Sequence, residues 1–270
     1  MIKKLAKKLL RCIFFTGRRY CCSVCGWHIK EYLPLSTFYT ENLKKYGFKY
    51  NIEHFETLNL ANYSCPICAA SDRDRLYALF IGKLLTQIQN RKMQNFSILD
   101  FAPSKPLTNY IRRNIKKLNL PVLYRTADLY AEKVDDKVDI MNMMGIYKNN
   151  QFDFFICSHV LEHVKDDKKA LRELYQILKP NGCGILMTPI NLDVETTDES
   201  TTTDEEERWR RFGQFDHIRL YSKSDYLLRI NEAGFFVRQL GKEYFGKNFF
   251  DVNGLSDKNI LYVVEKKGSI

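Results

Sequence analysis

The chain has 270 residues, 45% hydrophobic and 27% charged, with a formal net charge of +10. That is enough apolar material for a sizeable core, and it excludes a disordered tail. No run of 18 apolar residues occurs, which argues against a membrane-spanning helix, and Gly 13 with Pro 7 is too little for a fibrous protein.

Residues 1–92 hold 16 Lys+Arg against 6 Asp+Glu, whereas residues 93–270 hold 26 of each, so the whole excess lies at the front. Such asymmetry points to an anionic partner there: nucleic acid, phosphosugar or a lipid surface. The opening stretch places Ile2, Leu5, Leu9 and Ile13 at helical spacing among lysines. A basic amphipathic helix over 1–20 follows, suited equally to peripheral membrane contact and to docking on protein. The stretch lacks the features of a secretion signal, so a cytoplasmic location is expected.

Two C-x2-C pairs come next, Cys22/Cys25 and Cys65/Cys68, separated by 39 residues. Two such turns can close a tetrahedral thiolate site, which zinc prefers. In a reducing compartment metal binding is favoured over disulfides. The intervening segments YLPLSTFY and FKYNIEHF read as strands of a small sheet, making 21–72 a zinc-ribbon-like domain with a structural Zn2+. Residues 73–94 read as a linking helix.

From Phe96 onward strands and helices alternate. FSILDF, PVLYRTADL, FDFFICSHV, GILMTPI, FFVRQLG and NILYVVEKK read as strands. KPLTNYIRRNIKKL, DDKKALRELYQILK and SKSDYLLRINEAGF read as helices. The polar stretch 191–217 shows no apolar period. Alternation with apolar strands predicts an α/β fold over 95–270, a mostly parallel sheet covered on both faces. Ligands bind such sheets at the carboxyl ends of the strands, where the strand order reverses. Asp100, Asp128 and Asp139 fall at three successive strand ends or segments, where a carboxylate can accept two ribose hydroxyls.

The blocks SILDFAP, TADL, VDIM, FDFFICSHVLEHV and LYQILKPNGCGILMTPI together resemble class I S-adenosylmethionine (SAM)-dependent methyltransferases over roughly 95–265. The usual glycine-rich loop is replaced by DFAPSKPL. CPICAASDRDRLYAL and RRFGQFDHIRLY are similar to a bacterial subgroup in which a cysteine-rich ribbon precedes the SAM domain and which is associated with glycan pathways. The resemblance implies a Rossmann-like methyltransferase sheet. It also implies that Asp100, Phe101, Ala102 and Ser104 face the methionine part of SAM. Asp128 and Leu129 would lie at the ribose and adenosine, Asp139 and Ile140 at the adenine. Ser158 and His159 would border the transferable methyl.

Methyl transfer from a sulfonium is an in-line displacement, and an oxygen or nitrogen acceptor must also lose a proton. His217 and His159 are the candidate catalytic bases. Arg211, Gln214, Asp216 and Arg219, in the segment expected to cover the acceptor, are candidate substrate contacts, the arginines for an anionic acceptor. The expected activity is O-methylation of a sugar hydroxyl of a surface polysaccharide or its activated precursor. RNA methylation through the basic ribbon, and a non-catalytic binding role, are the alternatives. No motif sets the oligomeric state.

Overall fold

The computed structural model describes Cys12 and residues 14–268. The expected basic helix over 1–20 lies largely outside the described residues, and its last part is instead a strand. No helix among the described residues is long and apolar enough to cross a membrane.

Strand β1 (Thr16–Cys21) pairs antiparallel with β2 (His28–Ile29), and the first cysteine pair sits on the turn between them. Cys22 N–H donates to the Trp27 carbonyl at 3.0 Å, and Gly26, at φ 75°, closes the knuckle. The second knuckle is built alike. Cys65 N–H reaches the Ala70 carbonyl at 2.8 Å, and Ala69 takes the left-handed conformation at φ 62°.

Between the knuckles the structure departs from expectation. The segment forms a helix, α1 (Thr37–Lys45), and a short 3-10 turn (Ile52–His54), not strands. Ser36 caps α1 by accepting from Phe38 N–H, and Glu41 to Lys45 are good helix formers, which outweighs the aromatic content that suggested strands.

Helix α2 (Asp72–Asn90) starts on a capping box in which Ser71 and Asp74 bond each other's backbone. It leads into β3 (Phe96–Phe101), α3 (Lys105–Lys117), β4 (Val122–Asp128), β5 (Asp136–Lys137) and β6 (Phe152–Ser158). Then follow α4 (Asp167–Ile177), β7 (Leu178–Met187), β8 (Asp198–Glu199), α5 (Glu205–Phe212), β9 (Arg219–Leu220) and α6 (Lys223–Glu232). The chain closes with β10 (Phe236–Leu240), α7 (Lys242–Phe245), α8 (Lys247–Val252) and β11 (Leu261–Glu265).

Seven strands form one sheet in the order β10-β11-β7-β6-β3-β4-β5. Six run in one direction, and β11 runs against them, antiparallel to both its neighbours. β3, β6 and the end of β7 are almost wholly buried, as apolar runs in a two-sided sheet must be. Gly184 is required where Phe155 crosses it, because a Cβ there would lie 2.5 Å from the ring. The strand order reverses between β3 and β6, so the ends of these two strands open onto the crevice where this sheet type binds ligands.

The ribbon is fastened to the sheet through Arg75. This guanidinium is fully buried, lies 3.8 Å over the Tyr32 ring, and donates to the carbonyls of Asn62, Tyr63, Ala70 and Asn253. The four carbonyls satisfy a buried charge that has no carboxylate beside it.

Candidate active site and cysteine cluster

The four cysteines converge. Cys22 Sγ lies 3.8 Å from Cys68 Sγ and Cys25 Sγ 3.9 Å from Cys65 Sγ, with all four sulfurs within 4.8 Å of one another. A tetrahedron with metal–sulfur bonds of about 2.3 Å has edges of about 3.8 Å. The spacing is far beyond a disulfide bond of about 2.05 Å. Hydrogen bonding among the crowded sulfurs pushes the Cys22 thiol far up and, against burial, pulls Cys65 down, which is the conflict a shared cation relieves. Cys21 stands apart, its sulfur turned to the Gly26 carbonyl.

At the sheet's switch point, Asp100 pairs in register with Thr126 and Ile156, and its Oδ2 accepts from the Tyr124 hydroxyl at 2.5 Å. Burial pushes this carboxyl up to about 7, against the pull of Tyr124. Ala102 follows at φ 48°, the left-handed region that glycine enters freely. The backbone thus makes the turn a glycine would make, in spite of the alanine. Ser104 caps α3 and donates to Asp74 Oδ1 at 2.6 Å.

Asp128 closes β4, and its Oδ1 accepts from Tyr130 and Ala131 N–H, each at 2.7 Å. Beside it Leu129 is 46% exposed, leaving an apolar side chain free to lie against a planar ring. Asp139 holds its own turn through Met141 N–H at 2.8 Å, and Ile140 is buried. Ser158 ends β6 and shares a 2.8 Å hydrogen bond with the Tyr77 hydroxyl.

Next to this crevice lies a chamber that sequence reasoning did not anticipate. One wall is Leu35, Tyr39 and Tyr63 of the ribbon segment, the opposite wall is Phe212, Gly213 and Gln214, and the floor holds His159, His217 and Arg73. Gln214 is therefore where a substrate contact was expected. His159 and His217, 58 residues apart in sequence, are brought to one floor. Burial pushes both imidazoles down to about 4, with Arg73 adding to the effect on His159. Each is therefore uncharged at neutral pH, with one N–H and one lone pair free to accept a proton.

Beneath them Glu162 is fully buried. Burial opposes its charge, but the neighbouring imidazoles hold it below the usual carboxylate range. Its Oε1 lies 3.1 Å from His159 Nδ1, 3.9 Å from His163 Nε2 and 4.0 Å from His217 Nε2. His159 itself sits at φ 57°, a strained backbone at a strand end, as recurs at functional sites.

Two expected acceptor contacts are elsewhere. Arg211 is spent on Asp198, Glu207 and the Glu199 carbonyl. Arg219 is buried, bonds the carbonyls of Leu161, Val164 and Lys165, and pairs with Glu199 at 3.1 Å. It braces the turn that carries His163 and does not reach the chamber. Asp216 is a positioning group at the edge, its carbonyl 3.1 Å from His163 Nδ1.

Arg73 takes the place those arginines were given. Its guanidinium lines the chamber and makes no side-chain hydrogen bond or ion pair among the described residues. Both adjacent carboxylates are occupied otherwise. Asp72 holds Asn59 and Arg73 N–H, and Asp74 holds Ser71 and Ser104. The signal was available in SDRDRLY, since a first-turn arginine between two acids that serve as caps is left without a partner.

This sheet, with acids at its strand ends and a base-lined chamber beside its switch point, defines a Rossmann-like methyltransferase fold. Residues 65–240 match the family model described as "Methyltransferase domain", and the chain belongs to that family. That match covers the sheet from β3 to β10 and the second cysteine pair ahead of it. Curated relatives of the chain include a probable polyketide synthase 10 of Dictyostelium discoideum, 30% identical over 115 residues, covering 41% of this chain and 4% of that protein. Another is the ubiquinone biosynthesis O-methyltransferase of Rickettsia typhi, 34% identical over 65 residues, covering 23% and 26%. The chain thus spans only a small part of the relatives it matches. Among solved structures it is similar to the CMeT domain of the citrinin polyketide synthase, with 12% identity, a TM-score of 0.49, and coverage of 77% and 55%. It is also similar to the [4+2]-cyclase SpnF, with 15% identity, a TM-score of 0.42, and coverage of 94% and 100%.

Proposed function

We propose that this enzyme methylates a hydroxyl oxygen of an anionic sugar, in a surface polysaccharide or its activated precursor. The observation that carries the reading is the unpaired Arg73 guanidinium in a chamber that also holds two uncharged imidazoles. A planar fork of donors set below the surface suits a carboxylate or phosphate on the acceptor. Tyr39 and Tyr63 offer flat apolar faces with hydroxyl handles, as sugars require.

In this reading SAM lies along the ends of β3, β4 and β6. Asp128 takes the ribose hydroxyls through its uncommitted Oδ2, Leu129 packs on the adenosine, and Asp139 and Ile140 border the adenine. Asp100, Phe101, Ala102 and Ser104 line the methionine part, and Ser158 and His159 bound the methyl. SAM supplies the electrophilic carbon. His217 or His159 takes the acceptor proton as the oxygen attacks, and Arg73 and Gln214 fix the acceptor in line. The four cysteines hold a structural Zn2+ with no open position, so that metal holds the chamber wall and does no chemistry. The enzyme would work in the cytoplasm, with residues 1–20 as the candidate membrane contact.

The test uses labelled SAM with a panel of uronic-acid and nucleotide sugars, surface glycan and RNA from the source cell. Label in anionic sugar, with Arg73→Ala raising the acceptor KM tenfold or more and leaving SAM affinity unchanged, supports the reading. Label in RNA alone, or an Arg73→Ala defect confined to SAM binding, overturns it.

A further inference from the structure

Glu162, His163 and His217 pose a hydrogen-bonding problem that the described residues do not solve. Glu162 Oε2 accepts the Thr188 hydroxyl at 3.1 Å, but Oε1 has no hydrogen-bond partner. His159 Nδ1 is close, at 3.1 Å, yet too poorly aligned to satisfy Oε1. His163 Nδ1 lies 3.1 Å from the Asp216 carbonyl, which can only accept, so Nδ1 carries the hydrogen. That leaves the lone pair of Nε2 facing Glu162 Oε1 across 3.9 Å. His217, almost fully buried, turns Nε2 to the same oxygen at 4.0 Å, and its Nδ1 is unpartnered. Two acceptors, Glu162 Oε1 and His163 Nε2, thus face each other in a buried place and repel unless something positive stands between them.

We propose that Glu162, His163 and His217 bind a divalent metal ion beside the chamber, which only His217 of the three lines, separate from the cysteine cluster. The three donor atoms lie within 4.8 Å of one another. A metal at about 2.1 Å from each ligand needs edges of about 3–3.5 Å, so the edges from Glu162, now 3.9 and 4.0 Å, must shorten by about 0.5–1 Å and the His163–His217 edge by up to about 1.8 Å. Two imidazoles and one carboxylate suit Mn2+, Fe2+, Co2+ or Zn2+, and leave positions open.

The surroundings are those of a metal site. The Asp216 carbonyl fixes the His163 tautomer, Thr188 fixes the second oxygen of Glu162, and Arg219 locks the Leu161–Val164 turn from behind. His217 also lines the chamber, so the open positions would face the acceptor. The proposal rests on the reading of that chamber as the acceptor end. It gives the metal the task of gripping the acceptor hydroxyl and making it more acidic, and with His217 held as a ligand it leaves His159 as the base that takes the proton.

The full-length protein, with its cysteine metal retained, is titrated with Mn2+ and followed by electron paramagnetic resonance and calorimetry. One Mn2+ per chain is expected, with at least tenfold weaker binding in both Glu162→Gln and His163→Ala and cysteine-bound zinc unchanged in each. Should Glu162→Gln fail to fold, His163→Ala, whose side chain is 35% exposed, carries the test alone. Absence of any Mn2+, Co2+ or Zn2+ beyond the cysteine metal overturns the proposal, as does unaltered binding in the variants; water would then be the occupant. Methyl transfer to sugar without this metal would leave the function above standing. Metal binding with no sugar methylation would sink the function but not the site.

Discussion

Ser104 Oγ donates to Asp74 Oδ1 across 2.6 Å, which, with the Tyr110 hydroxyl on the Ala78 carbonyl at 3.0 Å, ties α2 to α3 beside the Phe101–Ser104 loop. Asp74 also completes the capping box of α2 through Ser71. Asp74→Ala removes both roles, and we expect a loss of roughly 1–3 kcal/mol. Urea unfolding of the two proteins measures it, and an unchanged midpoint would show that the tie contributes nothing.

Asp100 makes stability pH-dependent. Its carboxyl titrates at about 7 in the folded protein because it is buried, against 3.8 for the ordinary group. Below about pH 4 it is neutral in both states. Between 4 and 7 the unfolded chain ionises first, so this group's contribution to stability falls as pH rises, and the loss is complete above 7. Asp100→Asn should therefore gain on the wild type from pH 4 to 7 and hold a constant lead above. Parallel melting curves of the SAM-free proteins across that range would refute this.

Ala102 carries a left-handed backbone that costs an L-residue about 1–2 kcal/mol. Part of that is offset by the freedom glycine retains in the unfolded chain. Ala102→Gly should raise stability by roughly 0.5–1 kcal/mol, read as a small rise in Tm. A fall would mean that the methyl group has packing that outweighs the strain.

Arg75→Met leaves four buried carbonyls without their donor and should cost about 3 kcal/mol or more. The loss should appear in denaturant unfolding and, since two of those carbonyls flank the second knuckle, as faster metal release to a chelator. Metal retention at the wild-type rate would separate the ribbon from this anchor.

Asp128→Ala is expected to weaken SAM by roughly 1–3 kcal/mol, the cost of unpaired ribose hydroxyls. Calorimetry with SAM measures it, and unchanged affinity would remove Asp128 from the donor site.

The parts of this molecule legible in its sequence are those set by local periodicity and spacing. The apolar strands from β3 to β7, the helix on DDKKALRELYQI and the two cysteine knuckles each declare themselves within a dozen residues. What stayed hidden depends on contacts between distant segments. Glu162 reads as one acid in SHVLEH, and nothing there says that His217 will meet it. For Arg211 and Arg219 the neighbouring run Asp204–Glu207 suggests part of the pairing, and Glu207 does meet Arg211, but Asp198, Glu199 and the Leu161–Lys165 carbonyls come to them only in the fold. The segments 32–39 and 48–55 fold otherwise than their aromatic content suggests, because Ser36 caps a helix from Thr37 and Asn51 caps a 3-10 turn from Ile52.

The stretch between the two cysteine pairs supplies Leu35, Tyr39 and Tyr63 to the chamber, while the sheet alone carries the strand-end acids. One side of the chamber is thereby built by a stretch that carries none of those acids, so changes between the cysteine pairs alter that lining and leave the strand ends as they are.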